Sequence, residues 1–582
     1  MLERFDTDIL ILGAGGAGLF AALHAHRAAP ELSVTVAVKG LMGKCGCTRM
    51  VQGGYNVALS PGDSVERHFM DTIIGGKWLP NQDMAWKLCE TAVLRVRELE
   101  NEYGCFFDRN PDGSLHHKAF AGQTFDRTVH KGDLTGIEII NRLMEQVLAS
   151  PAITRLEEHR AIALVPDRRG EALSGVLFID MRRGVFRFVR AKSVLLATGG
   201  GPTMYRYHTP SGDKSMDGLA MAMRLGLPLR DMEMVQFHPT GLLGGDQTRM
   251  TGTVLEEGLR GAGGHLLGGD GRRFMFDYAE RGERATRDVV SRGIYAEMRK
   301  GNTSPLGGVY ISMGHLGPAE VSRRFRGMVR RCADSGFDLA GGRVEVVPTA
   351  HYFMGGVVCD PDTRTGLPGL HVAGEDAGGA HGSNRLGGNG VANSTVYGGV
   401  AGDVMAAEAR AMTQFRDPDE SLIEAGIATA RHPFSLPPAN VHDLRERLMN
   451  VMWDDVGIMR TGESLRRGLT RLTELRDELG HTGLADDDMV FNLSWHDWLN
   501  LDNLLQVSQA IAHAALSREN SRGAHFREDC PDEGKLDESY FTVVRHDGHA
   551  LHTTHEPVVF SIVRPGESLV DDMTPVQATQ HG

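Results

Sequence analysis

Long apolar runs are missing from the sequence. No stretch approaches the ~18 to 20 apolar residues that a membrane-spanning helix requires. A strand-like run begins by Asp8, which leaves no room for a cleavable targeting segment before it. Positive charge is also scarce, because 62 Lys and Arg face 75 Asp and Glu, for a formal net charge of −13. This balance disfavours non-specific binding to nucleic acid or to an anionic membrane surface. We therefore predict a cytoplasmic protein without a membrane span of its own.

Cysteine is scarce as well, and the few thiols are scattered. Seven occur, an odd number that includes no CxxC pair, at positions 45, 47, 89, 105, 332, 359 and 530. This usage is typical of reduced thiols in a reducing compartment. Because the chain lacks the cysteine spacing that holds an iron–sulfur cluster, we expect electrons to reach or leave it through another molecule.

Glycine, by contrast, is abundant, with 73 residues in a chain of 582. A chain of this length exceeds the ~250 to 300 residues at which single cores stop growing, so we expect several domains. Glycines in turns are typical of places where the backbone approaches a ligand. The composition therefore favours a nucleotide-binding enzyme over a structural protein.

The N-terminal segment has the pattern of a βαβ unit. An apolar strand leads into a glycine turn, an alanine-rich helix and a second, β-branched strand. Gly13, Gly15 and Gly18 form GxGxxG in the context where backbone N–H groups and a helix N-terminus bind a pyrophosphate. A tight strand-to-helix turn without a ligand is the alternative. Val38 and Lys39 stand where the second strand usually ends in an acidic residue, so a ribose must be held by other groups.

Two further strands, each followed by glycines, lie far downstream, in SVLLATGGG at 193–201 and in the segment that begins GLHVAGEDAGG at 369. They predict one nucleotide-binding domain over 1–236 and 346–430, interrupted by an inserted domain over 237–345. After about Pro433, leucines at steps of three and four from Leu465 to Leu479 predict a helical domain over 431–525, with Gly480 ending one helix. Residues 526–582 would form a small C-terminal domain.

Several charged or imidazole side chains lie in glycine-rich or turn-like sequence, where side chains project into clefts more often than into cores. They are His238 in QFHPTG, Glu256, Glu257 and Arg260 in LEEGLRGAGG, Arg287 in ATRDVVSRG, His351 in PTAHYFMGG and Arg385 in GSNRLGGN. Taken singly, each is most simply a solvated arginine or a hydrogen-bonded core histidine.

Together and in this order, the motifs resemble the flavoprotein subunits of the succinate dehydrogenase and fumarate reductase family, and L-aspartate oxidase shares most of them. The resemblance extends over nearly the whole chain and includes GAGGAG, QGGYNVAL, ATGGG, FHPTG, EGLRGAGG, RDVVSR, PTAHYFMGG, GSNRLGGN, MWDDVG and NSRGAHFREDCP. It implies an α/β fold with a Rossmann-like FAD-binding domain, an inserted α+β capping domain that closes over the isoalloxazine, a helical bundle domain and a small C-terminal domain. It also implies an iron–sulfur partner subunit and, through it, a membrane anchor at the cytoplasmic face.

The resemblance assigns roles residue by residue. His238, His351 and Arg385 correspond to ligands of the substrate carboxylates, and Arg287 corresponds to the arginine that transfers a proton. A C4 dicarboxylate is a dianion, and charge-assisted donors must offset the cost of desolvating it. The resemblance further implies that hydride moves between the substrate carbon and flavin N5.

An arginine that gives up a proton conflicts with the expectation that guanidinium stays charged. The resemblance implies a relay that refills it at once, and Glu257 and Arg260 match that relay. Their i, i+3 spacing places both on one face if the segment is helical, and an ordinary surface ion pair is the alternative. For FAD itself, the resemblance implies contacts from Gly13, Gly15, Gly16, Gly18, Lys39, Cys47, Thr48, Gly53, Gly54, Ala197, Thr198, Gly199, Asp217, Glu375, Arg385 and Asn389.

Cys47 falls where the respiratory enzymes of the family carry the histidine that bonds covalently to the flavin 8α-methyl. That histidyl link is therefore impossible here. We expect Cys45-Gly46-Cys47 to be a flavin-facing loop that holds FAD non-covalently, as the resemblance to aspartate oxidase suggests. A thioether from Cys47 to the flavin, a buried pair of thiols and a metal clip are the alternatives. Because a flavin without the 8α link is usually a weaker oxidant, we expect the reduction of a double bond to be favoured over the oxidation of succinate.

Glu256 is a second departure, because the family carries there a threonine whose hydroxyl helps to hold a substrate carboxylate. Two carboxylates that face each other in a dry site repel by roughly a few kcal/mol unless a proton or a cation intervenes. Either Glu256 points away, or the substrate is not plain succinate or fumarate. An amino-bearing substrate such as aspartate would turn the repulsion into attraction.

Three functions are compatible with the sequence. The favoured interpretation is an FAD-dependent oxidoreductase that interconverts succinate and fumarate, or a close C4 dicarboxylate, as the flavoprotein subunit of a complex with an iron–sulfur partner. The second is a soluble oxidase of the aspartate oxidase kind, which Glu256 favours. The third is a flavin-binding assembly subunit without turnover, which is disfavoured because a scaffold does not need a group of cationic and imidazole side chains.

Overall fold

A computed structural model describes residues 2–209, 212–245, 248 and 250–574. The strands are β1 (Leu2–Leu12), β2 (Val34–Val38), β3 (Tyr55–Asn56), β4 (His117–Lys118), β5 (Thr128–Val129), β6 (Ile153–Glu157), β7 (His159–Pro166), β8 (Leu173–Asp180), β9 (Val185–Leu196), β10 (Leu229–Arg230), β11 (Val235–Leu242), β12 (His265–Leu267), β13 (Val309–Ser312), β14 (Arg343–Phe353), β15 (Gly356–Val357), β16 (Leu370–Val372), β17 (Tyr540–His546) and β18 (Leu551–Pro557).

The α-helices of the described residues alternate with these strands at first and follow one another after β16. They are α1 (Gly16–Ala28), α2 (Val65–Gly75), α3 (Gln82–Asn101), α4 (Thr135–Ala149), α5 (Asp217–Arg224), α6 (Gly258–Gly261), α7 (Arg287–Arg299), α8 (Pro318–Arg324), α9 (Arg326–Ala333), α10 (Asn389–Ala411), α11 (Glu420–Arg431), α12 (Val441–Asp454), α13 (Gly462–Leu479) and α14 (Leu493–Ser517). Residues 575–582, the end of the predicted C-terminal domain, lie outside the described residues.

The largest sheet brings the three glycine turns together. Its order is β6-β2-β1-β9-β8-β7, and β16 also pairs with β9. β1, β9 and β16 run parallel and end in register, with Leu12 opposite Leu196 and Leu196 opposite Val372. The glycines that follow each strand therefore meet at one edge, the carboxyl edge at which nucleotides bind in parallel sheets. The antiparallel pairing of β7, β8 and β9 is a feature that the sequence did not predict.

Helix α1 packs backbone to backbone against α10. A Cβ on Gly398 would lie 2.5 Å from the Ala17 carbonyl oxygen, and one on Gly402 would lie 2.4 Å from that of Ala21. These contacts leave no space for larger side chains between the two helices. The packing fixes the start of α1 relative to the glycine turn.

The inserted segment forms a second sheet with a core of its own. The order is β11-β14-β13-β12, with antiparallel pairing throughout. Its hydrophobic cluster, from Leu242 to Val346, is separate from the main core. β11 and β14 are neighbours, with His238 opposite Thr349, so the two ends of the segment lie side by side. Both strands extend past the predicted limits at 237 and 345.

The chain after α11 is largely helical. In α13, Leu465, Leu472, Leu475 and Leu479 are buried, and the helix ends at Leu479, which agrees with the leucine spacing. α13 packs against α12 and α14. None of the helices in the described ranges is long and apolar enough to cross a bilayer. With the sheets described above, this arrangement confirms the predicted α/β fold with a helical part behind it.

The C-terminal strands join the middle of the chain. β17 and β18 form a hairpin, and β17 pairs with β10 in a sheet of order β15-β10-β17-β18. The loop before β17 contacts two other parts of the molecule. The Ala524 N–H donates to the Ser383 carbonyl, and the Gly523 carbonyl accepts from Arg292 of α7 at 2.7 Å. The residues around 523–525 thus brace elements that carry candidate site residues.

We expect Gly398→Ala to destabilise the protein. Its Cβ would press on the Ala17 carbonyl, and overpacking of this kind typically costs about 1 to 3 kcal/mol. Gly366→Ala is the matched control, because a Cβ there meets open space. Thermal unfolding would check the difference, and equal Tm values for the two variants would contradict the packing argument.

Candidate active site

A deep cleft of about 1800 Å³ opens where the glycine turns meet. Pockets for one small molecule typically measure ~300 to 1,000 Å³, so this cleft has room for a large ligand beside a small one. Its wall includes the predicted residues Gly13, Gly15, Gly16, Lys39, Cys47, Thr48, Gly53, Gly54, Ala197, Thr198, Gly199, Asp217, His238, Glu257, Arg287, His351, Glu375 and Arg385. The predicted residues Gly18, Arg260 and Asn389 are not part of the wall.

The glycine turn brings backbone to the surface of the cleft. Gly13 has a φ of +112°, and a Cβ there would lie 2.1 Å from the Ala197 carbonyl oxygen. Gly15 precedes α1, whose first turn contains no acidic residue, and Thr48 Oγ1 accepts from the Gly16 N–H at 3.1 Å. Gly18 serves helix–strand packing, since its Cβ would meet the Gly13 carbonyl. The positive end of the α1 dipole is thus available to a pyrophosphate.

Lys39 and Asp217, both predicted to contact the cofactor, bind each other. Lys39 Nζ lies 2.8 Å from one oxygen of Asp217, and Arg160 donates to the other at 3.1 Å. Burial raises the pKa of Asp217, but the two cations outweigh it and hold that pKa below its ordinary value. Asp217 is therefore ionised, and the protein itself compensates its charge.

Asp376, which the sequence analysis did not single out, holds the turn after β9. Its carboxylate accepts from Thr198 Oγ1 at 3.0 Å and from the Gly199 N–H at 3.1 Å. Burial raises the pKa of Asp376 to about 7 despite these hydrogen bonds. The adjacent Glu375 lines the cleft and accepts from the Phe353 N–H at 3.0 Å.

Asn389 lies behind the wall of the cleft. Its Oδ1 accepts from Asn56 at 2.8 Å, and its Nδ2 donates to Thr72 at 3.1 Å. Its neighbours Gly388 and Gly390 do line the cleft. Asn389 therefore supports the wall through its side chain, and its predicted contact with FAD stays a prediction.

Cys47 lies in the wall beside Lys214, a lysine that the sequence analysis missed. Burial raises the pKa of Cys47 to about 11, although Lys214 favours the thiolate, and burial raises the pKa of Cys45 to about 11 as well. Thiols of this kind carry little thiolate at neutral pH. Within the described residues, no group of three His, Cys, Asp or Glu side chains could hold a metal ion. The loop is therefore better suited to packing against a cofactor than to attacking it.

His238 on β11 and His351 on β14 form the histidine pair of the site, with ring centroids 5.5 Å apart. Burial and the charge of Arg287 hold the pKa of both well below the ordinary value, so both imidazoles are neutral at physiological pH. His238 Nδ1 accepts from the Thr240 N–H at 3.3 Å, which places the imidazole proton on Nε2. A neutral imidazole of this tautomer can donate a hydrogen bond from Nε2 to a carboxylate oxygen.

Arg287 and Arg385 are joined by Gln236, which the sequence analysis missed. Gln236 Oε1 accepts from Arg287 Nη1 and from Arg385 Nη2, each at 3.0 Å, and its Nε2 donates to the Arg385 carbonyl at 2.7 Å. The Arg385 guanidinium lies 4.4 Å from the centre of the Tyr352 ring. Burial and Arg287 lower the pKa of Arg385 to about 10. A glutamine in an apolar strand, two residues before His238, was the available signal.

Glu257 connects Arg287 with Arg260. Its Oε2 accepts from Arg287 Nε at 2.9 Å and Nη2 at 2.5 Å, and its Oε1 lies 3.5 Å from Arg260 Nη2. Burial raises the pKa of Glu257, but Arg287 and Arg260 outweigh it and lower that pKa. Because all three side chains are buried, the alternative of a surface ion pair is wrong. The geometry is compatible with the predicted relay, which stays a prediction.

Glu256 does not point away from the cleft. Its side chain is buried and lines the wall, and Lys118 Nζ lies 3.2 Å from its Oε2. Burial raises the pKa of Glu256, although Lys118 opposes the shift. Lys118 is therefore the intervening cation that two opposed carboxylates require.

The residues of the cleft fit FAD. The turn at Gly13 lets the backbone approach a pyrophosphate, and the cleft is long enough to continue from there to the histidine pair. Among the described residues, His351 Nδ1 and Arg385 Nε are buried polar atoms without a hydrogen-bond partner. Such atoms ordinarily mark a place where a ligand or water binds. The cleft therefore suits a dinucleotide together with a small acid.

We expect acid denaturation of the purified protein to release its flavin. Because burial raises the pKa of Cys47 to about 11, the thiolate that a thioether requires is scarce. Flavin absorbance in the supernatant and in the pellet after acid precipitation would check this. Retention by the wild-type chain and release from Cys47→Ser would instead establish a covalent link through Cys47.

Comparison with known proteins agrees with the geometry. Residues 8–391 match a family model described as FAD binding domain, and residues 445–570 match one described as fumarate reductase flavoprotein C-term. A flavoprotein of Methanothermobacter marburgensis, which belongs to its fumarate reductase (CoM/CoB), is 40% identical, over 91% of this chain and 95% of that protein. L-aspartate oxidase 1 from Ralstonia nicotianae is 36% identical, over 90% and 96%.

A solved structure shows the same architecture. The FrdA chain of E. coli quinol fumarate reductase matches with a TM-score of 0.90 and 32% identity, over 97% of this chain and 98% of that one. These matches confirm the predicted fold, the FAD cofactor and the predicted class of oxidoreductase. The chain belongs to the FAD-dependent flavoproteins of the succinate dehydrogenase and fumarate reductase family.

Proposed function

We propose that this chain is the catalytic flavoprotein of a fumarate reductase or succinate dehydrogenase complex, and that it favours the reduction of fumarate to succinate. The observation that carries the proposal is the convergence of His238, His351, Arg287 and Arg385 on one compartment, with Glu257 bonded to Arg287. Burying cations is costly unless they have a partner. A protein without turnover has no use for such an arrangement.

The compartment suits a small dicarboxylate. Arg287 and Arg385 present guanidinium groups, which can bind carboxylates bidentately. His238 and His351 are neutral and add hydrogen-bonding capacity without adding charge. Because the site is buried, each charge-assisted hydrogen bond is stronger than it would be in water. These donors offset the desolvation of a dianion.

The residues of the chain divide the work of the reaction. FAD, when bound, supplies the hydride for reduction or accepts it in the reverse direction. Arg385 and the two histidines hold the substrate carboxylates, and Arg287 donates a proton to the carbon next to the one that receives hydride. Glu257 lies between Arg287 and Arg260, so a proton can return to Arg287 without crossing the substrate. The buried walls exclude water from the reacting carbons.

An iron–sulfur partner is proposed as the electron donor, with a membrane anchor behind it. The support is the similarity to a chain of quinol fumarate reductase. On this proposal the chain lies at the cytoplasmic face of the membrane and is attached through its partners. Co-purification of a cysteine-rich protein with the native chain would support it.

The oxidation of aspartate is the second candidate, and one observation favours it. Glu256 places a carboxylate in the wall of the compartment, where it would attract an ammonium group. The similarity to L-aspartate oxidase 1 points the same way. Electrons would then pass to oxygen or fumarate without a partner protein.

We expect fumarate to reoxidise the reduced flavin of the purified protein, and succinate to bleach the oxidised flavin more slowly. Anaerobic absorbance titrations with fumarate, succinate and aspartate would measure all three. Bleaching by aspartate, followed by formation of hydrogen peroxide in air, would contradict the first candidate and establish the second.

We expect Arg287→Ala to lower kcat for fumarate reduction by about 10²- to 10⁴-fold, the usual contribution of a positioned acid or base. Flavin content should not change, because the inserted segment that carries Arg287 has a core of its own. Arg284→Ala is the matched control, because Arg284 is an exposed arginine three residues earlier in the chain. Equal kcat values for the two variants would contradict the role of Arg287.

A further inference from the structure

Glu256 and Lys118 form an ion pair that the proposed reaction does not use. Glu256 belongs to the inserted segment and Lys118 to β4, so the pair joins the two sides of the cleft. Lys118 Nζ also donates to the Gly132 carbonyl at 2.8 Å, which fixes its position. Glu256 is adjacent to Glu257, whose carboxylate holds Arg287. The pair therefore borders the compartment in which the substrate is proposed to bind.

The surroundings of Glu256 leave its charge finely balanced. Lys118 is its direct partner, Asp133 adds a negative charge and Arg331 a positive one. The neighbouring Glu257 is already engaged by Arg287 and Arg260. A ligand carboxylate that enters the compartment adds a further negative charge, and Lys118 alone cannot compensate two carboxylates.

We propose that Glu256 determines substrate specificity by taking up one proton when a dicarboxylate binds, and by staying ionised when the ligand presents an ammonium group to it. The inference rests on the proposed dicarboxylate function. In the first case one solvent proton bonds to a Glu256 oxygen, and the Lys118 ammonium then faces the ligand carboxylate. No other bond forms or breaks. In the second case the ligand ammonium takes the place of that proton.

Burial prepares Glu256 for this role. It already raises the pKa of Glu256 in the free protein, although Lys118 opposes the shift. A nearby ligand carboxylate raises that pKa further, because protonation removes the repulsion between two anions. Binding then draws in a proton wherever the pH lies above the pKa of the free group and below that of the complex.

The linkage fixes the sign of the pH dependence. Since the complex binds one proton more than the free protein, the dissociation constant for a dicarboxylate rises with pH, by up to about tenfold per pH unit. The other titratable groups around the pair stay in one form between pH 6 and 8.5. The pKa values of His238 and His351 lie well below the ordinary value, that of His130 is lowered to about 3 and that of Arg385 to about 10.

The test is isothermal titration calorimetry of the oxidised holoprotein, without an electron donor, with fumarate and with L-aspartate. Titrations in buffers of different ionisation enthalpy, between pH 6 and 8.5, give the protons taken up per ligand bound. We expect uptake approaching one proton for fumarate and none for aspartate. In Glu256→Gln, which cannot take up the proton, fumarate should bind with no uptake and with a dissociation constant independent of pH.

Two further results keep the inference distinct from the proposed function. Lys118→Met should shift the rise in the fumarate dissociation constant to higher pH, because the free Glu256 carboxyl then has no cation to favour its ionised form. Equal uptake in the wild type and in Glu256→Gln, or uptake for aspartate equal to that for fumarate, would overturn the role of Glu256 alone. Failure of fumarate to bind at any pH would overturn the proposed function, and this inference with it.

Discussion

Two buried guanidinium groups, held side by side, are the constraint on which the rest of the site depends. Arg287 begins α7 of the inserted segment, and Arg385 lies in the turn before α10 of the nucleotide-binding part. Like charges so close repel, and neither group has water to screen it. Gln236 accepts one hydrogen bond from each arginine, and Glu257 supplies the negative charge. The junction between the two parts is stable only because these compensating groups are present.

The position of the cleft follows from strand register. β1, β9 and β16 are far apart in sequence, yet their last residues lie opposite one another. The chain needs a glycine after β1, because a side chain at Gly13 would collide with the neighbouring turn. Main-chain amides can then line one edge of the sheet. The inserted segment leaves and returns through β11 and β14, which carry the histidine pair to the same edge.

Local patterns in the sequence were sufficient for the elements that local interactions determine. The strand, turn and helix around Gly13 and the buried stripe of α13 follow from spacing alone. The contacts of Gln236, Lys214 and Lys118 could not be predicted, because each of their partners lies far away in sequence. The site residues themselves came from a resemblance of motifs. That resemblance placed Asn389 at the cofactor, whereas the structure places its side chain behind the wall, bonded to Asn56 and Thr72.

The pairing of β1 has a consequence for biosynthesis. This apolar strand is among the first segments to be made, but it lies between β2 and β9, and β16 completes that edge from residues 370–372. At ~5 to 20 residues per second, roughly 20 to 70 s separate the synthesis of β1 from that of β16. β10 waits still longer for β17, at 540–546. The nascent polypeptide must therefore be kept from aggregating throughout translation, and the flavin can be loaded only when most of the message has been read.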